Sequence, residues 1–160
     1  MLAVLNFLFL IGLFTVFYQD FKERQVTFLV FLLLLIVGLI LHLQKQFIEV
    51  FLLSITINLM LLLMMLFILY LYIKIIMKKK FKEAIGIGDV CFFVIMAMSF
   101  PTLTFSILFS ASLIFATLLF LILKPKMNIK TVPLAGLQAL FLLLVNTFNM
   151  MFNFVNLYTI

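Results

Sequence analysis

The chain has 160 residues, of which 68% are apolar and only 10% are charged, and its net charge is +6. Such a small number of charged side chains cannot cover the surface of a water-soluble domain. The composition therefore excludes a water-soluble domain and predicts an integral membrane protein. The length favours one domain, and we interpret residues 1–160 as a single membrane-embedded, all-α domain.

The long apolar segments predict a polytopic bundle of six transmembrane helices. In chain order they cover residues 2–18, 27–43, 48–77, 89–100, 103–123 and 133–158. No basic region precedes the first segment and no A-x-A-like site follows it, which favours a membrane helix over a cleavable signal peptide.

The basic residues orient this bundle. Only Lys45 lies on one side, whereas the three loops that follow helices 1, 3 and 5 hold the other ten of the eleven lysines and arginines. These are Lys22, Arg24, Lys74, Lys78, Lys79, Lys80, Lys82, Lys124, Lys126 and Lys130. The positive-inside rule makes that side cytoplasmic and places both termini outside. Topology and contact with membrane lipids then explain the positive charge, and no nucleic-acid partner is required.

Two aspartates are the strongest candidates for chemistry. Asp20 closes the first predicted helix and Asp89 opens the fourth, so two helices return both carboxylates to the same side. Helix 4 reaches Pro101 after only about 17 Å, against a hydrocarbon core of about 30 Å, so Asp89 is expected below the membrane surface unless the helix continues. Gly86 and Gly88 precede it, and glycine permits unusual backbone angles and close approach. An ionisable residue at such depth indicates function.

Two carboxylates around one water molecule are the machinery of an aspartic protease. One must be ionised to take a proton from water, and the other must be protonated to donate to the scissile carbonyl. Such a pair titrates as a unit. The alternative is structural, because an aspartate at a helix N-terminus is also a good cap without any catalysis.

Two motifs give the chain a family resemblance. Residues 86–90 read GIGDV, and residues 20–27 read DFKERQVT, which follows a D-x-R-x-x-x-I-P pattern with lysine for arginine and threonine for proline. With this layout the sequence resembles the type IV prepilin and preflagellin peptidases, which are G-x-G-D membrane aspartic proteases. The resemblance implies that Asp20 and Asp89 are the catalytic pair on the cytoplasmic side.

The resemblance also implies a substrate and a short form of the enzyme. Pilin-like or archaellin-like precursors would lose a basic leader peptide, without methylation, because the four-cysteine portion of longer members is missing and Cys91 is the only cysteine. Glu23 and Glu83 are candidate counter-charges for the leader. Pro133 opens the last helix and approximates the proline-glycine element that the family has there. No cofactor is implied, and the oligomeric state stays open.

Other functions are also compatible with these residues, and further polar residues have their own expected roles. A presenilin-like intramembrane protease shares G-x-G-D, and a small transporter or assembly scaffold could use the aspartates as an ion site or as caps. One histidine and one cysteine cannot form a metal site with these carboxylates. His42 is expected at the membrane interface. A polar face of helix 6 favours interhelical hydrogen bonds, with a polar cavity or a dimer contact as alternatives; it comprises Asn146, Asn149, Asn153 and Asn156.

Overall fold

The computed structural model describes residues 2–78, 85–123, 133–152 and 156–158, and every regular element within these ranges is helical. The all-α prediction is therefore confirmed. The helices are α1 (Leu2–Glu23), α2 (Phe28–Leu43), α3 (Ile48–Tyr72), α4 (Ile87–Ser99), α5 (Thr102–Leu123) and α6 (Leu134–Phe152), and α3 continues into a π-helical turn (Ile73–Met77).

Four of these helices are long and apolar enough to cross a membrane: α1, α3 with its π-helical turn, α5 and α6. The other two are apolar but shorter, with 16 residues in α2 and 13 in α4. At 1.5 Å per residue α4 measures only about 20 Å, less than the roughly 30 Å of a hydrocarbon core. This set of helices is compatible with a multi-pass membrane protein.

Two predicted helix ends are wrong. The first helix continues to Glu23 rather than ending at Tyr18, so Asp20 lies inside its last turns instead of closing it. The last helix is described from Leu134 to Phe152 and does not reach Tyr158, which belongs to a turn. The Tyr158 ring stacks on Phe100 with 5.8 Å between centroids. Burial of the aromatic ring against α4 stabilises the turn, and apolar composition alone does not distinguish this from a longer helix.

The core is centred on α4. Phe92, Phe93, Met96 and Ala97 are all at most 2% exposed, and α4 packs mainly against α2 and α3, with further contacts to α5 and α6. α1 packs against α2 and α6. The outer faces of the long helices carry large exposed apolar side chains, as expected for a bundle surrounded by lipid. The short helix that carries Asp89 is thus held on several sides.

α2 and α4 pack closely against each other at Gly38. A Cβ atom there would lie 2.0 Å from Ser99 Oγ and 2.9 Å from Ser99 Cβ. We therefore expect Gly38→Ala to lower the free energy of unfolding by about 1–3 kcal/mol through overpacking. Gly12→Ala is the comparison variant, because its Cβ would meet only the Leu34 side chain, with Cδ2 and Cγ at 2.8 Å, and not an atom as close as 2.0 Å.

Thermal unfolding of Gly38→Ala and Gly12→Ala in the same detergent tests which substitution is the more destabilising. Gly38→Ala should have the lower melting temperature of the two. Equal melting temperatures would mean that α2 and α4 are further apart than described.

The C-terminal end of α4 is held by a buried side chain of α3. Asn58 is fully buried, and its Nδ2 donates hydrogen bonds to the carbonyl oxygens of Ala97 (2.8 Å) and Phe100 (2.9 Å). Carbonyl groups at a helix C-terminus lack intrahelical partners, and Pro101 cannot continue the helix. Asn58 therefore supplies donors from a neighbouring helix and fixes where α4 ends.

His42 is buried, so the prediction of an interfacial histidine is wrong. Its ring has no exposed surface and contacts the carbonyl oxygen of Met98 through Nδ1 (3.0 Å) and Ser54 Oγ through Nε2 (3.2 Å). These partners come from α4 and α3, so the histidine joins three helices. A polar group can be buried at little cost when its hydrogen bonds are made, as they are here.

Candidate functional site

The first turn of α6 brings the two aspartates together. The backbone N–H of Gly136 donates to Asp20 Oδ2 at 2.6 Å, and the N–H of the preceding residue, Ala135, donates to Asp89 Oδ1 at 2.8 Å. Asp20 reaches this turn from the end of α1, and Asp89 reaches it from the start of α4. Three helix ends therefore meet at one end of the bundle.

The physical reason for this meeting is the unsatisfied N-terminus of α6. The first N–H groups of a helix have no intrahelical acceptor, and the helix dipole favours negative charge beside them. The first turn of α6 contains no acidic residue, and Pro133 precedes it, so no carboxylate of its own caps the helix. Asp20 and Asp89 take that role from two other helices, as anions do at helix N-termini.

The two carboxylates are neighbours. The nitrogens of Ala135 and Gly136 are three covalent bonds apart, so the two bound oxygens lie within about 9 Å of each other. The charge of Asp20 acts on Asp89, and the positive charge of Arg24 acts on both. Both aspartates are half-buried, which strengthens such interactions by excluding part of the solvent. The arrangement satisfies the elementary condition for a coupled carboxylate pair.

The G-x-G-D motif forms the start of α4 in an ordinary conformation. Gly86 is the N-cap residue, with φ −72° and ψ 146°, and its N–H donates to Asp89 Oδ2 at 3.2 Å. No glycine in the described residues has a positive φ. The expectation that the motif supplies unusual backbone angles is therefore wrong. Asp89 instead uses one oxygen to cap its own helix and the other to cap α6.

Close approach, the second expected use of glycine, is tighter at Gly136 than in the motif, where a Cβ atom on Gly86 would lie 3.1 Å from Asp89 Oδ2. A Cβ atom on Gly136 would lie 2.9 Å from Asp20 Oδ2 and 3.0 Å from Asp20 Cβ. At Gly88 the nearest atom to an added Cβ would be the Phe31 ring, at an ordinary 3.7 Å. Sequence reasoning missed the roles of Ala135 and Gly136. The available signal was a glycine three residues after Pro133, at the start of the last helix.

The loop after α1 is held in a defined shape next to Asp20. Arg24 lies in the left-handed region, with φ 57°, and its N–H donates to the carbonyl oxygen of Asp20 at 3.2 Å. Gln19 Oε1 then accepts hydrogen bonds from the N–H (3.0 Å) and the hydroxyl (2.8 Å) of Thr27. These contacts fix the path between α1 and α2 and hold the charge of Arg24 near the pair.

The remaining predicted site residues divide into three cases. Pro133 is buried directly before the turn of α6 that binds the carboxylates. Glu23 is exposed at the last residue of α1. Glu83 lies outside the described residues. Within the described ranges no group of three or more His, Cys, Asp or Glu side chains could hold a metal ion, and Cys91 is a half-buried free thiol packed against the core.

Comparison with known proteins adds no relative: no protein-family model matches the chain, and no curated protein and no solved structure is similar to it. The chemistry of the two aspartates and their surroundings is therefore the guide to function.

Proposed function

We propose that this protein is a membrane aspartic endopeptidase of the type IV prepilin or preflagellin peptidase kind, in the short form without a methyltransferase portion. In this proposal six helices span the cytoplasmic membrane, with both termini outside. Asp20 and Asp89 then lie on the cytoplasmic side, where the positive-inside rule puts the basic loops. The shorter α2 and α4 leave Asp89 below the membrane surface.

One observation carries the proposal: Asp20 and Asp89 accept hydrogen bonds from adjacent backbone N–H groups at one end of the bundle. If the carboxylates served only to cap α6, there would be no need for two of them, from two different helices, to bind adjacent backbone amides. Two half-buried carboxylates held by adjacent amides repel each other when both are ionised, which favours a state in which the pair carries one proton. That protonation state is the one that an aspartic protease uses.

The reaction follows from this state. The ionised carboxylate removes a proton from a water molecule, which attacks the carbonyl carbon of the scissile peptide bond. The protonated carboxyl donates its proton to the carbonyl oxygen as the tetrahedral intermediate forms. The carboxyl group that took the proton from water gives it to the leaving nitrogen, and the C–N bond breaks. The hydroxyl of the intermediate returns its proton to the other carboxylate as the C=O bond re-forms, and both products leave. The amides of α6 and Gly86 hold the carboxylates in place throughout, which limits reorganisation.

The proposed substrate is a pilin-like or archaellin-like precursor. Its apolar helix would lie in the bilayer and its basic leader in the cytoplasm, so the bond between them reaches the end of the bundle where the aspartates lie. Exposed Glu23 would meet the positive charge of the leader. Glu83 is a second counter-charge in the same proposal.

A cleavage assay tests the proposal. The purified protein in detergent is incubated with precursors that combine a basic leader with an apolar helix, and products are identified by mass spectrometry. We expect one cut at the junction of leader and helix, and no cut when both aspartates are replaced by asparagine. A second precursor, with the basic residues of its leader replaced by glutamine, should be cut more slowly if Glu23 assists.

The position of the cut separates the alternatives. Cleavage inside the apolar helix would favour a presenilin-like intramembrane protease using the same pair. A folded wild-type protein that cuts no member of a broad precursor panel would contradict the peptidase proposal and favour a transporter or an assembly scaffold. In those functions the aspartates would serve as an ion site or as caps for α6.

A further inference from the structure

A polar cavity lies at the end of the bundle opposite to the aspartates. Its volume is about 400 Å³, and it opens between the first turns of α1, the residues that follow α2 and the last turns of α6. The side chains of Asn6 on α1 and Asn146 on α6 line it. From Asp20 to Asn6 along α1 is about 21 Å, so the cavity and the aspartates are separate sites.

Among the described residues that line the cavity, Lys45 is the one that is charged, and its charge is positive. Burial raises the pKa of the Tyr158 hydroxyl well above its usual range, so this residue adds no negative charge. The other polar groups are the amides of Asn6, Asn146, Asn149 and Asn156. An amide NH₂ has two hydrogens to donate, and Asn146 uses one for the carbonyl oxygen of Leu142.

Lys45 is also the one basic residue that topology does not explain. The positive-inside rule accounts for the other ten, which the sequence places on the opposite side, in the predicted loops or at the adjoining helix ends. The asparagines of α6 are similarly unused by the peptidase proposal, because they lie at the other end of that helix from Gly136. A lysine in the same cavity as amide side chains has the chemistry of a site for a phosphate oxygen.

We propose that this cavity binds an anionic phosphate group, and that a membrane phospholipid supplies it. The exposed apolar side chain in the lining argues for the lipid source. Met150 lines the cavity and is 50% exposed. An acyl chain would pack on Met150 and on the exposed apolar side chains of the surrounding helices while the headgroup enters the cavity, which matches the two parts of a phospholipid.

The headgroup should be phosphatidylglycerol rather than phosphatidylcholine. Glycerol adds hydroxyl groups that the asparagine amides can bind, whereas a trimethylammonium group brings a second positive charge beside Lys45 and no hydrogen-bond donor. The pocket volume lies within the range of sites for small ligands. Binding here does not depend on the aspartates, so this proposal and the peptidase proposal can fail independently.

Binding is measured in detergent by native mass spectrometry and by the rise in melting temperature as each phospholipid is added. Wild-type protein should bind one phosphatidylglycerol molecule preferentially, and Lys45→Met should bind it about tenfold more weakly, as expected for one hydrogen bond to a charged group. Asn146→Leu should weaken binding as well, because it removes a donor and narrows the cavity. The matched control is Lys74→Met, the same change at an exposed lysine remote from the cavity, which should leave the affinity unchanged.

Two results would overturn the proposal. If Lys74→Met weakened binding as much as Lys45→Met, lipid would be attracted by the net charge of the chain and not by this cavity. If inorganic phosphate alone raised the melting temperature to the same extent at the same concentration, the source would be a soluble phosphate and not a lipid.

Discussion

Replacing either Asp20 or Asp89 by asparagine is expected to lower the rate of precursor cleavage by about 10²–10⁴-fold, the contribution of a positioned general acid or base. The two carboxylates act on one water molecule, so each single variant removes the same function. The double variant should therefore be no slower than the worse of the two single variants. Initial rates of leader release, measured with equal amounts of folded protein, provide the test.

Asparagine is the informative substitution because the aspartates also cap α6. The amide oxygen of asparagine can still accept the hydrogen bond from Ala135 or Gly136. The melting temperature of Asp20→Asn should therefore stay close to that of the wild type. Asp89→Asn has one acceptor oxygen for two N–H groups, so it loses the hydrogen bond from Gly86 or Ala135 and should melt at a lower temperature. Asp20→Ala and Asp89→Ala remove the cap as well, and each should cost about 0.5–2 kcal/mol of stability. Asn variants that cleave at the wild-type rate would disprove the catalytic role of the pair.

Gly136→Ala should lower the cleavage rate by about 10²-fold, since misplacement of a catalytic group by roughly 1 Å has that effect. The added Cβ would lie 2.9 Å from Asp20 Oδ2 and 3.0 Å from Asp20 Cβ. The second of these atoms is fixed to the backbone of α1, so the carboxylate cannot simply rotate away. The measurement is kcat/KM for one precursor, with the melting temperature as a check on folding.

Gly88→Ala is the matched control for this substitution. It lies in the first turn of α4, as Gly136 lies in the first turn of α6, and both changes raise helix propensity. Its Cβ would meet only the Phe31 ring at 3.7 Å, so cleavage should continue near the wild-type rate. Loss of activity in Gly88→Ala combined with full activity in Gly136→Ala would show that α6 does not meet Asp20 as described.

Hydropathy and charge were sufficient to predict much of this protein. The apolar runs predicted all six helices, and α2 and α3 with its π-helical turn match their predicted ranges to within one residue. Helix counting also predicted that Asp20 and Asp89 would reach the same end of the bundle. The helices follow from local composition. The shared end of the bundle follows from the even number of helices between the two aspartates, which can be counted along the sequence.

Interactions between helices were not predictable in this way. The capping of α6 by Asp20 and Asp89 depends on which helix ends meet, and periodicity contains no information about that. His42 appeared to be interfacial because its partners, Ser54 and the carbonyl of Met98, belong to other helices. The left-handed conformation of Arg24 was missed for a related reason, since it follows from a helix that ends later than its apolar run.

The hydrogen bonds from Asn58 fix the position of α4 along its own axis. They bind the carbonyl oxygens of Ala97 and Phe100, and Phe100 is about 17 Å from Asp89 along this axis. A helix is stiff along its axis, so a shift of one residue at the Asn58 contacts would move Asp89 by about 1.5 Å. Its 2.8 Å hydrogen bond to Ala135 would not survive such a shift. α3 thus fixes the position of the Asp89 carboxylate from the opposite end of α4.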